Sequence, residues 1–192
     1  MADRNETSAK IVSAADTLFY ETGFEATSFA DIAAAVGISR GNFYHHFKTK
    51  DAILDAVIDR RMEATRAMLA DWAAEAGAAE ARILCFIRIL IVNRASIMAY
   101  GCPVGTLSAE LSKLDHAAQG RAAEVFALFR NWLAAEFRKL GHEDEAEALA
   151  LHVLARSQGV AALATAFRDE DFIRREVAAL EVWLHSLCVG QN

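Results

Sequence analysis

One proline and ten glycines are all the strong backbone punctuation that 192 residues carry. So little of it excludes collagen-like, linker-like and turn-dense all-β chains and favours long helices with short joints. Cysteine is scarcer still. Cys85, Cys102 and Cys188 are odd in number and far apart, which argues against a disulfide framework, leaves no Cys-x-x-Cys metal knuckle, and fits a reducing compartment. Long apolar runs are missing as well: the longest, residues 83–92, has ten residues and includes Arg88, against the roughly 20 that a bilayer crossing needs. The first 30 residues hold caps and acids where an export signal would have a basic start and an apolar stretch. The expectation is a cytoplasmic protein with no membrane partner.

What is present points the same way. Hydrophobic residues make up 54% of the chain, ample for a core at this length, so disorder is not expected. Alanine-rich stretches with helical spacing recur, and the fold class expected is all-α. A net charge of −6 would disfavour a polyanionic partner if it were evenly spread, because phosphate contacts supply most nucleic-acid affinity. Distribution overrides the total. Residues 39–50 contain Arg40, His45, His46, Lys48 and Lys50 and no acid; on charge alone, a solvated face and a phosphate-binding face explain this patch equally well.

A first helix is predicted over residues 7–21, where Ile11, Ala14, Ala15, Leu18 and Phe19 form one stripe ended by Gly23. Ser28 and Asp31 have the spacing of a capping box and open a short second helix that Gly37 closes. Ser39 is placed to cap a third immediately afterwards, which makes a helix-turn-helix pattern across Val36-Gly37-Ile38. Thr49 is placed to cap a long fourth helix with Asp51 in its first turn. Further helices are predicted over residues 81–100, 106–114, 119–140, 144–167 and 171–187.

The run Thr27-Ser28-Phe29-Ala30-Asp31-Ile32-Ala33, followed by Val36-Gly37-Ile38-Ser39-Arg40-Gly41-Asn42-Phe43-Tyr44-His45-His46-Phe47-Lys48, resembles the DNA-binding domain of the TetR family of bacterial repressors. With the first helix, the resemblance covers about the first 60 residues. It implies a DNA-binding domain over 1–50 and a helical effector-binding and dimerisation domain over 51–192. It also implies roles. Thr27, Ser28 and Ser39 sit at helix N-termini suited to a phosphate oxygen. Arg40 and Asn42 begin the recognition helix, where arginine can pair with guanine and asparagine with adenine. Tyr44, His45 and Lys48 are phosphate clamps, and Phe43 and Phe47 belong to the core.

In the C-terminal part, the last two long helices offer Leu149, Val153, Val160 and Ala161 on one, and Leu180, Trp183, Leu184 and Leu187 on the other. The resemblance implies a two-fold four-helix bundle built from such a pair; the alternative is that they close the chain's own core. The middle helices would enclose an effector pocket lined by Met62, Phe86, Leu90, Leu107, Leu111, Phe126, Phe129 and Leu133, with Cys102 at a helix joint and Arg156 as a polar anchor. The same residues serve equally as a filled core.

Together these readings describe a repressor, homodimeric on a palindromic double-stranded operator and released by a small hydrophobic effector. Its long fourth helix would be the lever between effector and DNA. A second possibility keeps this fold and makes Cys102, in Gly101-Cys102-Pro103, an oxidant or electrophile sensor. Catalysis is not expected. Gly37-Ile38-Ser39-Arg40-Gly41 matches a hydrolase nucleophile elbow literally, but that device needs a strand before the serine and an alanine-rich helix precedes this one. Neither cofactor nor metal is expected, since the adjacent His45 and His46 lack the i, i+4 spacing of helical ligands.

Overall fold

The computed structural model describes residues 2–189, among which there is no strand. The helices are α1 (Ala2–Glu21), α2 (Phe29–Val36), α3 (Arg40–His46), α4 (Lys50–Glu75), α5 (Ala79–Val92), α6 (Arg94–Tyr100), α7 (Pro103–Lys113), α8 (Gln119–Lys139), α9 (Ala146–Phe167) and α10 (Glu170–Val189). They pack as two units. The first takes the chain as far as Ala64 and resumes for Thr106–Val125; the second takes Thr65–Gly105 and Phe126 onward. No single helix among the described residues is long and apolar enough to cross a membrane.

In the first unit Ile11, Ala15 and Phe19 of the predicted α1 stripe are buried, Ala14 and Leu18 are half-buried, and Ile32 of α2, Phe43 of α3 and Ile53, Leu54, Val57 and Ile58 of α4 are enclosed in the same unit. Leu107 and Leu111 add the inner face of α7 to this unit. Two ion-pair sets brace it. Arg61 Nε meets Asp16 Oδ1 at 2.7 Å, tying α4 to α1, and Arg61 is largely enclosed, so solvent screens that pair less than most. Arg121 reaches Asp55 and Asp59, one turn apart on α4, at 2.5 Å each; these are half-exposed and worth less.

The second unit is built from the end of α4 from Thr65 onward, α5, α6, α9, α10 and the larger part of α8. Phe86 and Phe129 meet edge to face at 5.4 Å, and Trp72 leans on Trp132 at 5.8 Å. Glu136 is buried to 1% exposure; Arg82 Nη1 at 3.4 Å and Lys139 Nζ at 2.6 Å supply the compensating positive charge that a buried carboxylate requires.

Helix boundaries depart from the sequence pattern at three places: α1 begins at Ala2, five residues before the expected start, and two later departures have local reasons. The predicted helix over 81–100 is two helices, because Asn93 leaves helical geometry at φ −99°, ψ 13°. Its side-chain Nδ2 donates to Ile89 O at 3.1 Å, and Arg94 Nη1 donates to Ile91 O at 3.1 Å. Ile89 O keeps its helical bond from the Asn93 N–H at 3.0 Å, whereas Ile91 O, a carbonyl that a continuing helix would use, is taken by the Arg94 side chain. α7 starts at Pro103 and not at Thr106, since proline at the first helical position forfeits an N–H that would have no partner anyway.

The turn between α2 and α3 depends on Gly37, left-handed at φ 74°, ψ 30°, whose N–H returns to the carbonyls of Ala33 and Ala34. A methyl group there would meet nothing within 4 Å, so only backbone strain opposes it. Gly37→Ala is expected to cost about 1 kcal/mol, seen as a lower urea midpoint with an unchanged slope.

Candidate nucleic-acid interface

Ser28 and Asp31 close the capping box reciprocally. Asp31 N–H donates to Ser28 Oγ at 3.2 Å, while Ser28 N–H and Oγ–H donate to Asp31 Oδ2 at 2.8 and 2.6 Å. The Ser28 hydroxyl, and after it the Ser28 backbone N–H, hold the Asp31 carboxyl below its ordinary range. Ser39 starts α3 by accepting the Asn42 N–H at 3.3 Å. The short α3 has a clear division of faces: Phe43 is buried at 1% exposure and Phe47 at 9%, whereas Ser39, Arg40, Gly41, Asn42, Tyr44, His45 and Lys48 are exposed. Phe29 of α2 packs on both Phe43 and Tyr44, at 5.2 and 5.5 Å between ring centroids, so the ring of Tyr44 is held while 45% of the residue stays in solvent. A recess of about 300 Å³ lies between α2 and α3, bordered by Ser28, Arg40 and Tyr44.

The loop from Thr22 to Ser28 that delivers the chain to α2 is held from two sides. Lys50 Nζ donates to the carbonyls of Phe24, Glu25 and Thr27 at 3.0, 3.2 and 3.3 Å and lies 4.4 Å from the centre of the Phe24 ring. Glu110 of α7 accepts the N–H groups of Phe24 and Glu25, one on each oxygen, at 2.9 Å. His116, in the turn before α8, sets its ring edge-on to Phe24 at 5.2 Å and its Nε2 at 3.5 Å from Asp51. The sequence reading included none of these in the site. Lys50 stood out only as part of the basic patch, and Glu110 carries no motif.

Three expectations are corrected by burial and pairing. Thr27 is not a surface residue: at 2% exposure its hydroxyl donates to Gly23 O at 2.7 Å inside the loop, leaving it nothing to offer a phosphate. Arg156 does not anchor a buried ligand, because it is exposed and paired with Glu176. In the expected dimer stripe, Val153, Val160, Ala161, Leu180 and Leu184 are buried in the chain's own core, while Leu149, Trp183 and Leu187 are half-buried. Trp183 stacks between His152 at 4.7 Å and Phe137 at 6.2 Å. The exposed apolar face of these helices is a different one. On α9 it comprises Leu151, Ala155, Gly159, Ala162, Leu163, Ala166 and Phe167, and on α10 Ala178, Val182 and Val189.

Of the residues expected to line an effector pocket, Met62, Leu107 and Leu111 are buried within the first unit. Phe86, Leu90, Phe129 and Leu133 are buried and Phe126 half-buried within the second. Cys102, also in the second unit, is half-buried, and its Sγ accepts from Gln158 Nε2 at 3.4 Å.

Residues 11–57 match the family described as bacterial regulatory proteins, tetR family, and residues 62–179 match the C-terminal domain of LmrA/YxaF-like transcriptional regulators. The chain belongs to the TetR family. Among curated TetR-family proteins it is 40% identical over 57 residues to the transcriptional regulator TtgR of Pseudomonas putida, covering 30% of this chain and 27% of TtgR. To the transcriptional repressor DhaR of a Mycobacterium species it is 26% identical over 116 residues, 60% of this chain and 56% of DhaR. The chain therefore spans between about a quarter and a little over half of these two relatives. Solved structures extend the likeness along nearly the whole chain. A TetR regulator from Legionella pneumophila superposes with a TM-score of 0.79 at 26% identity, covering 90% of this chain and 94% of that one. One from Chloroflexus aurantiacus gives 0.84 at 24% identity, with 96% and 97% covered. At that identity the second likeness speaks for the fold alone. TetR-family regulators bind operator DNA and typically act as dimers.

The Asp31 geometry makes stability depend on pH with a definite sign. A carboxyl held below its unfolded value contributes in full above that value, and the contribution disappears as pH falls through the folded one. Ser28→Ala removes the main cause of the shift. The stability gap between wild type and Ser28→Ala in thermal melts is expected to be widest at neutral pH. It should narrow through the carboxylate range to what the cap bond to Asp31 N–H alone supplies; a gap that is constant or widens on acidification would contradict this account.

Proposed function

We propose that this TetR-family chain is a repressor that binds a palindromic operator as a dimer and lets go when a small hydrophobic effector binds. One observation carries the DNA-binding half of this reading. A single short helix, capped at its start and seated on Phe43, exposes Arg40, Asn42, Tyr44 and His45, and Lys48 is exposed just beyond the buried Phe47 at its end, with no acid among them. Arg40 and Asn42, in the first turn, read base edges in the major groove. Tyr44, His45 and Lys48 contact the phosphates, and the helix N-termini after Ser28 and Ser39 add to those contacts the backbone N–H groups that their caps do not use. The acidic remainder of the chain repels DNA, so binding is confined to this face.

The dimer forms through the exposed apolar face of α9 and α10. Leu163 at 45%, Phe167 at 71% and Val182 at 71% exposure are large apolar groups left in water, interspersed with alanines and Gly159 that let a second helix approach closely. Two recognition helices on a two-fold axis read two half-sites, which gives more affinity and specificity than one short helix supplies. In the second unit, the aromatic pair of Phe86 and Phe129, with Leu90, Phe126, Leu133 and Cys102 of the same unit, makes the surroundings for the effector. Met62, Leu107 and Leu111 stay with the core of the first unit.

Selecting bound sequences from a random DNA pool tests the first half. The full-length wild type should enrich a palindrome, and failure to enrich any sequence would sink the reading. On that palindrome, Arg40→Ala is expected to cost about 1–3 kcal/mol and relax one position, whereas Lys48→Ala should weaken all sequences evenly and lower the salt slope by about 1. For the second half, light scattering on a sizing column should give twice 21.0 kDa for wild type. Val182→Glu should run as a helical monomer with weaker operator binding; an unchanged dimer would mean that the interface lies elsewhere.

A further inference from the structure

We propose that Glu110 is a positioning residue for operator binding: its carboxylate fixes the loop that enters α2, so that α7 sets the posture of the DNA-binding helices. The proposal rests on the operator-binding reading above. It starts from a backbone problem. Phe24 and Glu25 lie between α1 and α2, where no helix accepts their N–H groups, and unpaired N–H groups are unfavourable. Glu110 supplies both acceptors, one oxygen to each N–H at 2.9 Å, from 86 and 85 residues away in sequence. A carboxylate accepting two backbone donors makes charge-assisted bonds, stronger than the neutral bonds of an ordinary turn and more demanding in geometry.

The loop is shaped for this contact. Gly23 has φ +101°, and a Cβ there would lie 3.1 Å from Glu110 Oε1, so the chain passes close to the carboxylate where it has no side chain. From the other side Lys50 takes the carbonyls of the same two residues. The peptide units at 24 and 25 are thus held by their N–H groups to α7 and by their C=O groups to α4. Three residues further on stands the α2 cap, Ser28. Thr27 is tied back to Gly23 O, leaving little slack between the clamped peptides and α2.

Charge alone argues for the opposite effect. Glu110 adds a negative charge to the unit that must approach a polyanion, so deleting that charge should tighten DNA binding. Positioning predicts that deleting it weakens binding. The two accounts differ in sign.

The experiment uses the full-length chain and the operator selected with wild type. Operator affinity is measured by fluorescence anisotropy at temperatures well below the melting point, and exchange of the Phe24 and Glu25 amides by hydrogen–deuterium exchange. Glu110→Gln keeps the size and removes the charge; Glu110→Asp keeps the charge and shortens the reach. Both are expected to lose operator affinity on the order of tenfold with an unchanged salt slope, and to speed exchange at Phe24 and Glu25 selectively. Binding by Glu110→Gln equal to or tighter than wild type, wild-type affinity in Glu110→Asp, or unaltered exchange would overturn the positioning role while leaving the operator reading intact. A wild type that selects no sequence would remove the operator reading and the positioning role together.

Discussion

The ammonium of Lys50 lies where three loop carbonyls and an aromatic face converge, and the helix-turn-helix depends on that convergence. Phe24, Glu25 and Thr27 offer carbonyls that no helix uses, and the Phe24 ring presents its electron-rich face to the same cation. Because Lys50 is the first residue of α4, the start of the longest helix is bound to the loop that starts α2. α3 lies between them in sequence and takes its seat from both neighbours, through Phe29 on Phe43 and through the buried Phe47. Lys50, which the sequence showed only as one member of a basic patch, is thus part of the framework that presents the exposed residues of that patch.

How much of this was legible beforehand follows from how local each interaction is. The caps at Ser28, Ser39 and Thr49, the left-handed Gly37 and the inward Phe43 and Phe47 are decided within a few residues of sequence, and each is where its spacing put it. Asn93 was less legible, since it leaves helical geometry where the apolar pattern on both sides would have continued the helix. Thr27 was misassigned because a hydroxyl next to a helix start has two possible partners, and only the folded loop shows that Gly23 O is nearer than solvent. Glu110 lies 85 residues from what it holds, and no local pattern announces such a contact.

The α9 helix shows a different limit. It is apolar nearly all round, with Ala150, Val153, Val160 and Ala164 enclosed and Leu151, Ala155, Ala162 and Leu163 exposed. Periodicity selects a buried stripe only when the opposite face is polar. With two apolar stripes the sequence indicates that both sides are to be covered without saying which is covered by the chain itself. The inner stripe was therefore read as the outer one, and so were its counterparts Leu180 and Leu184 on α10.

Gly101 ends α6 at φ 86°, ψ −165°, a region of backbone space open in practice to glycine alone. Every base change that alters the amino acid at a glycine codon adds a Cβ, so no single mutation leads away from this residue without strain. The neighbours on either side, Tyr100 and Cys102, have no positive φ and carry no such backbone restriction. In a collection of descendants of this chain, the backbone would hold the joint before α7 to glycine at one point, while the residues beside it would answer only to their side-chain contacts, such as that of Cys102 with Gln158.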